Sequence, residues 1–497
     1  MSALASQAIV GIYLTEEQVG TYAIALGIIG VTGIWRSGGA ATFLPSVKPA
    51  EFDDWARPML RWSAAFQVAT ALLTVAIALQ TQLLPAALRD QNLEGLPAVL
   101  LVLALRSFIY PIALVGRMRL AVDHRFVGLA RLDSFSSLAR FAITWIAAAS
   151  GGGTLALALP YTLLTCIEAA GALGMGGIRW SDFRPSAIPL RSVAAMLAWP
   201  LALAILNSIR ADISFLVIGL AIPASALGVF YFAFQLANQP TMLLASSLQN
   251  VLAPMLARDR GSRSAEREGM SKVFSGAMLF VPVTTMAAAS FFPSTERLVW
   301  GGKWASATTG LYFLCVGATY ATVAALLLGP LLGLQRFRAA TAFEALKLVG
   351  TIGGALLGAA LLPMLSGGAS GATHSAMTVV SAAVGFGITL TSLAQLFWIA
   401  RRFDLPRTET VRNLIFGPSL AGLTAIAAQS IGTSIVTSTG AGGGRLAAAI
   451  ELAAISVTYM LLITLAIRFT AEPVLRDSVA ALPPKARKIA ERIFQLN

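Results

Sequence analysis

Residues 96–115 read LPAVLLVLALRSFIYPIALV, twenty residues with one charge, Arg106. At a helical rise of 1.5 Å per residue, about 20 mainly apolar residues cross the roughly 30 Å hydrocarbon core of a bilayer. This stretch therefore reads as a membrane-spanning helix, and the rest of the chain follows the same pattern. Of the 497 residues, 57% are hydrophobic and only 12% charged, whereas soluble proteins carry roughly 25% charged residues. Segments of spanning character fall near 3–14, 19–35, 63–84, 96–115, 133–149, 154–175, 193–221, 225–245, 272–292, 306–328, 339–362, 374–400, 414–437 and 446–467. The first is short, since about twelve residues reach only about 18 Å. The expected fold is an all-α integral membrane protein with about fourteen transmembrane helices.

The loop charges supply an orientation. With the N-terminus in the cytoplasm, twenty-eight of the 36 basic residues fall on the cytoplasmic side, and Arg89, Arg297, Lys303 and Arg445 on the outer side. Such a positive-inside bias predicts a multi-pass membrane protein with both termini cytoplasmic. Trp35, Trp55, Trp62, Trp180, Trp300, Trp304 and Trp398 fall near the expected interfaces, where amphipathic rings gather. The net charge of +13 is dispersed in short clusters between apolar runs, which argues against a nucleic-acid partner. Cys166 and Cys315 lie inside apolar segments, and His124 and His374 are isolated, so neither a disulfide framework nor a metal site is expected. Residues 2–14 lack the basic start of a cleavable signal peptide. The expected outer loops are all short, which counts against an envelope enzyme that must hold an acceptor outside.

The chain also repeats itself. VGIYLTEEQVGTYAIAL from Val10 aligns with IGLAIPASALGVFYFAF from Ile218, matching Gly11 to Gly219, Gly20 to Gly228 and Ala25 to Ala233, with Tyr22 opposite Phe230. PIALVGRMR from Pro111 aligns in the same order with PLLGLQRFR from Pro330. Six helices separate the copies, so the two halves have the same orientation and their interface is the expected substrate site. The domains drawn from this are an N-terminal lobe of six helices over 1–191 and a second six-helix lobe over 192–408. Two further helices follow at 409–470, and a cytoplasmic tail at 471–497.

The repeat elements resemble the polysaccharide transporter branch of the multidrug/oligosaccharidyl-lipid/polysaccharide exporter superfamily. The stretches that carry the resemblance are LTEEQVGTYAIAL at Leu14, IGLAIPASALGVFYFAFQLANQP at Ile218, LQNVLAPMLARD at Leu248 and LVWGGKW at Leu298. The resemblance implies two six-helix lobes around a central cavity, alternating access, and export of undecaprenyl-pyrophosphate-linked oligosaccharides across a bacterial inner (plasma) membrane.

A charge at bilayer depth costs about 2.5–3.5 kcal/mol on insertion scales, so each one calls for a reason. Arg210 and Asp212 stand midway along the seventh segment, about 200° apart on an ideal helix, so they cannot face the same way. Arg210 is the candidate for an anionic head group, through bidentate contact with phosphate oxygens, or else it balances an acid on another helix. Arg36, at the end of the second segment, reads either as a cavity cation or as a positive-inside anchor. Gln235, Asn238 and Gln239 share one face of the eighth segment and suit sugar hydroxyls, or alternatively join helices. Many flippases of this superfamily carry a cation on that helix; none is present here. Asp212 and Glu168 are the candidates for ion coupling. Arg106 and Arg140 fall within the first lobe, where an Arg140–Glu168 pair would lower the cost of burial. Glu344 and Lys347 are three apart and can pair on one helix face. Glu451 has no evident partner. GTIGGALLGAA from Gly350 reads as close helix packing, not as a phosphate loop.

The leading expectation is a flippase, not an enzyme, that needs no cofactor. Its partners are a lipid-linked saccharide, membrane lipid, a proton or sodium ion, and a polysaccharide polymerase or export machinery. The rivals are a cation-coupled multidrug exporter of the same superfamily and a non-transporting component of a polysaccharide-synthesis complex. No nucleotide-binding motif points to direct use of ATP.

Overall fold

The computed structural model describes residues 2–35, 39–44, 47, 51–91, 93–184, 188, 190–239, 262–333, 337–365, 372–438 and 444–470. Arg36, Gln249, Asn250 and the LQNVLAPMLARD stretch lie outside the described residues.

The long helices are α1 (Ser2–Tyr13), α2 (Glu16–Thr32), α3 (Phe52–Leu79), α4 (Leu96–Val122), α5 (Phe126–Ala149) and α6 (Leu155–Gly174). Next comes α7, which runs through Leu190–Ser208, Ile209–Ile213 and Ser214–Gly219, and then α8 at 224–239. The chain continues with α9 (Arg263–Val299), α10 (Ala307–Gly333), α11 (Phe337–Leu365), α12 (Ala372–Arg402), α13 (Arg407–Ser438) and α14 (Arg445–Thr470). No strand occurs among the described residues. Nine helices among them, α3, α4, α6 and α9 to α14, are long and apolar enough to cross a membrane. The 12 and 17 residues of α1 and α2 are shorter, and α5 carries Arg131, Asp133 and Arg140.

The middle of α7 departs from the sequence expectation. In place of a regular α-helix, Ile209–Ile213 forms a π-helical turn. An apolar run has the same composition in either geometry, so periodicity does not reveal it. Such bulges are rare and recur at functional sites.

The chain divides into two compact units, Met1–Phe232 with Ala355–Met377, and Ala233–Gly354 with Thr378–Asn497. In the first, α3 and α6 pack on α4, α1 packs on α5, and α2 packs on α7. Its core around Phe52, Met59, Leu114, Val115 and Leu197 is buried. In the second, α9 packs against α10, α13 and α14, over a core including Phe274, Met278, Leu327, Leu396 and Leu414. The GTIGGALLGAA stretch is a packing surface: a Cβ on Gly350 would stand 2.3 Å from Thr391 Oγ1 and 2.5 Å from the Gly387 carbonyl on α12.

The repeated elements meet each other within the first unit. Thr15 caps α2, accepting the Gln18 backbone N–H at 3.2 Å while its own N–H donates to Gln18 Oε1 at 3.0 Å. This reciprocal capping box explains the T-x-x-Q of LTEEQVG. In the second copy Pro223 stands just before α8, where its fixed φ suits a helix start. Gly20 sits against Ala224 and Gly228 against Glu16, with a Cβ on either coming within 1.7 and 1.8 Å of the facing carbonyl oxygen. In the repeat alignment Gly228 is the counterpart of Gly20, and Ala224 that of Glu16. The contact is therefore self-reciprocal, as a two-fold relation between copies requires.

The LVWGGKW stretch forms a tight turn. Gly301 and Gly302 adopt φ of 66° and 95°, and the buried Glu296 carboxylate accepts the Trp304 N–H at 2.8 Å. Trp304 is 0% exposed and packs inside the protein, whereas Trp180 is 89% exposed. The local cause is Glu296, which draws the turn back onto its helix.

Candidate functional site

Arg210 and Asp212 both stand in the π turn of α7 and are half-buried. Helix α2 makes room for the acid at Gly30, whose missing Cβ would lie 2.6 Å from Asp212 Cβ. Asp212 is thus seated against α2, the helix that also carries the reciprocal glycine contact with α8.

Glu168 on α6 does not meet Arg140. It accepts a hydrogen bond from Arg117 Nη1 at 3.1 Å, and Arg117 Nη2 also pairs with Asp133 at 2.7 Å. This corrects the expected Arg140–Glu168 pair: Arg117, eleven residues along α4 from Arg106, reaches both acids near the ends of α5 and α6.

Arg140 and Arg106 are held by tyrosines instead. The Arg140 guanidinium lies 5.0 Å from the Tyr161 ring centroid, and Nη2 donates to the Tyr161 hydroxyl at 3.4 Å. Arg106 sits 5.5 Å from the Tyr110 ring and 5.7 Å from that of Tyr161, and its Nε donates to Thr165 Oγ1 at 3.1 Å. Tyr22 of α2 completes the group, 6.4 Å from Tyr161 and 5.9 Å from Tyr231 between ring centroids.

In the second unit, Gln235, Asn238 and Gln239 are half-buried on α8, and Asn238 Nδ2 donates to the Phe234 carbonyl at 2.8 Å. Lys347 pairs with Glu344 at 2.9 Å on one face of α11, as their spacing suggests. Glu451, left without an account by the sequence, pairs with Arg297 of α9.

A further cluster escaped the sequence reading. Arg119, 1% exposed, holds Asp182 through two hydrogen bonds of 2.5 and 2.9 Å, Asp53 through one of 2.9 Å, and the Gly177 carbonyl at 3.1 Å. Arg179 closes the network onto Asp53 at 2.6 Å. Beside it, an open groove of about 540 Å³ is lined by Leu120, His124, Arg125, Phe126, Arg131 and Met175 among others. The signal in the sequence was Arg119 itself, one of the two arginines shared by the second repeat pair.

Helical spans of this length and apolarity, with ion pairs and guanidiniums between them, define a multi-pass membrane protein of the transporter type. The chain belongs to the family described as Polysaccharide biosynthesis protein, which matches residues 9–309, within the superfamily that the repeat motifs resemble. It is 24% identical over 241 residues to the teichuronic acid biosynthesis protein TuaB of Bacillus subtilis (strain 168). That match covers 45% of this chain and 46% of the relative, so it spans about half the length of each. The fold is similar to that of the lipid II flippase MurJ in its inward closed conformation, with a TM-score of 0.63 at 11% identity over 94% of this chain and 97% of that one. A MATE structure in the bent conformation aligns with a TM-score of 0.37 at 13% identity, over 83% of this chain and 99% of that one.

Proposed function

We propose that the protein is a flippase that moves an undecaprenyl-pyrophosphate-linked oligosaccharide from the cytoplasmic to the outer leaflet by ion-coupled alternating access. The observation that carries this reading is membership of a polysaccharide-biosynthesis family by a multi-pass helical chain. The MurJ-like fold supports it. Fourteen crossings, two six-helix lobes at 1–191 and 192–408, and both termini in the cytoplasm of a bacterial cell belong to the same proposal. A lipid-linked saccharide is its substrate, and a polymerase or export complex its downstream partner. The chemistry is transport, not catalysis.

Arg210 is assigned to the anionic head group, because a guanidinium in a π turn at mid-helix can fork onto phosphate oxygens. Arg36 is assigned to the same head group, and the amides Gln235, Asn238 and Gln239 to sugar hydroxyls. Asp212 and Glu168 are assigned to ion coupling, Asp212 because it stands in the π turn beside Arg210. Deleting the gene should make one lipid-linked saccharide accumulate in the inner leaflet, and the wild-type gene should clear it. Arg210→Ala should restore export poorly and Arg210→Lys in part, since a charge-assisted hydrogen bond contributes roughly 1.5–3 kcal/mol. In proteoliposomes with a pH gradient, Asp212→Asn should bind substrate and fail to respond to the gradient. A stable Arg210→Ala protein with normal export would refute its substrate role, and a deletion strain with no accumulated lipid-linked saccharide would refute the flippase.

Orientation has its own check. Cysteines placed at 407 and 151 should react with an impermeant thiol reagent only from the inside and only from the outside, respectively. Labelling of 407 in intact cells would overturn the fourteen-helix arrangement.

A further inference from the structure

Among the described residues, Arg106 and Arg140, at mid-helix in the first unit, stand outside its ion pairs. Arg117 takes Glu168 and Asp133, and Arg119 takes Asp182 and Asp53. Among the described residues no carboxylate pairs with Arg106 or Arg140, whose contacts are to Tyr110, Tyr161 and Thr165. Cation–π contacts hold a guanidinium by its flat face and leave its N–H edge for another acceptor. Thr165 uses only Nε of Arg106, so both terminal amino groups of that fork are open to an acceptor.

The helix ends place these groups at one depth. Arg106 is ten residues into α4, Arg140 nine residues from the end of α5, Tyr161 six residues into α6 and Tyr22 six into α2. At 1.5 Å per residue, they stand about 9–15 Å from the starts of α2, α4 and α6 and from the end of α5, which the proposed topology puts on one side. Within this group the Tyr22 side chain is 0% exposed, and its hydroxyl has no hydrogen-bond partner among the described residues. The Tyr22 ring stands 6.4 Å from that of Tyr161, the ring over which both arginines lie. A buried hydroxyl without a partner is costly unless something else satisfies it.

We propose that Arg106 and Arg140, with the Tyr22 hydroxyl, form a binding site for a phosphate-type oxyanion inside the first unit. Its source is the diphosphate of the lipid-linked saccharide, a step that rests on the flippase reading. The site is separate from Arg210 and offers the head group two forks and one hydroxyl donor on α2, α4 and α5. Oxyanions suit it because guanidinium forks bind them bidentately, and a doubly charged group answers both cations at once. The tyrosine rings fix the forks before the anion arrives.

The test uses the full chain in detergent, with undecaprenyl diphosphate, inorganic pyrophosphate and undecaprenol as probes and the thermal-unfolding midpoint as readout. Undecaprenyl diphosphate should raise the midpoint, pyrophosphate should do so at higher concentration, and undecaprenol should not. Tyr22→Phe removes only an unpartnered hydroxyl, so the protein without probe should melt at the wild-type temperature or above. Its affinity for undecaprenyl diphosphate should nevertheless fall by roughly tenfold, the worth of one hydrogen bond to a charged group. Arg106→Gln and Arg140→Gln should each weaken binding at least as much. Stabilisation by pyrophosphate but not by undecaprenyl diphosphate overturns the lipid-linked source. Wild-type affinity in Tyr22→Phe and both arginine variants overturns the site, and if those variants still clear the accumulated saccharide, the flippase reading stands without it. A wild-type gene that clears nothing removes the reading itself.

Discussion

Gly20→Ala and Gly228→Ala should each lower the thermal-unfolding midpoint sharply, and by similar amounts. A Cβ on Gly20 would stand 1.7 Å from the Ala224 carbonyl oxygen, and one on Gly228 1.8 Å from that of Glu16. Both obstacles are backbone, so no side-chain rotation relieves them, and the helices must part. Overpacking of a tight contact typically costs 1–3 kcal/mol, and a clash this deep with backbone belongs at about 3 kcal/mol or more. The similarity of the two effects is the sharper expectation, because it follows from the reciprocity of the contact and not from either glycine alone. Gly422→Ala is the control: it lies within α13 with open space around its missing Cβ. There the better helix propensity of alanine should stabilise by up to about 1 kcal/mol. Purified protein in detergent, followed by intrinsic fluorescence on heating, reads all three. A Gly20→Ala protein that melts with the control would show that α2 and α8 do not approach as closely as described.

Much of this fold was legible in the chain because the bilayer limits what a sequence can do. Apolar stretches such as 96–115 must be helices, since lipid offers no partners for exposed backbone. The repeat between Val10 and Ile218 was legible because its glycines are required at the same step of each copy, as Gly20 and Gly228 now show. The glycine-rich stretch at Gly350 was legible because small residues inside a span suit close helix packing. Other features turn on geometry that residue types do not encode. The π turn at Arg210 and Asp212 shifts two side chains around the helix without altering composition. Glu168 chooses Arg117 over Arg140 through helix register, and Trp304 is buried because Glu296 holds its backbone N–H. Asp182 pairs with Arg119 only because the loop WSDFR folds back onto α4, which its residue types do not encode.

That folded-back acid carries the second large effect: Arg119→Ala should be among the most damaging single substitutions in the chain. Arg119 and Asp182 are each 1% exposed and joined by two hydrogen bonds. Removing one member leaves the other charge buried without its partner, which typically costs 3–5 kcal/mol. The surviving Asp53–Arg179 pair, half-exposed at both ends, cannot make up the difference, because exposed pairs contribute about 0–1 kcal/mol. Replacing both buried members with apolar residues of similar volume, Arg119→Met with Asp182→Leu, should recover much of the loss, because no unpaired charge then remains. The dependence on pH has a defined sign. Burial pushes the Asp182 carboxyl up, but hydrogen bonds from the Arg119 guanidinium and the Arg179 backbone N–H outweigh it, holding it below its ordinary value of 3.8. A carboxyl depressed in the folded state stabilises fully above its unfolded value, and that contribution is lost as pH falls through the depressed one. Wild type should therefore melt well above Asp182→Asn at pH 7, and the gap should narrow only under acid conditions below about pH 4. Melting curves of the two proteins across that range decide the matter. A gap that stays constant into acid would mean that the Asp182 charge does not hold this loop on α4, and that Arg119 is buried for its packing alone.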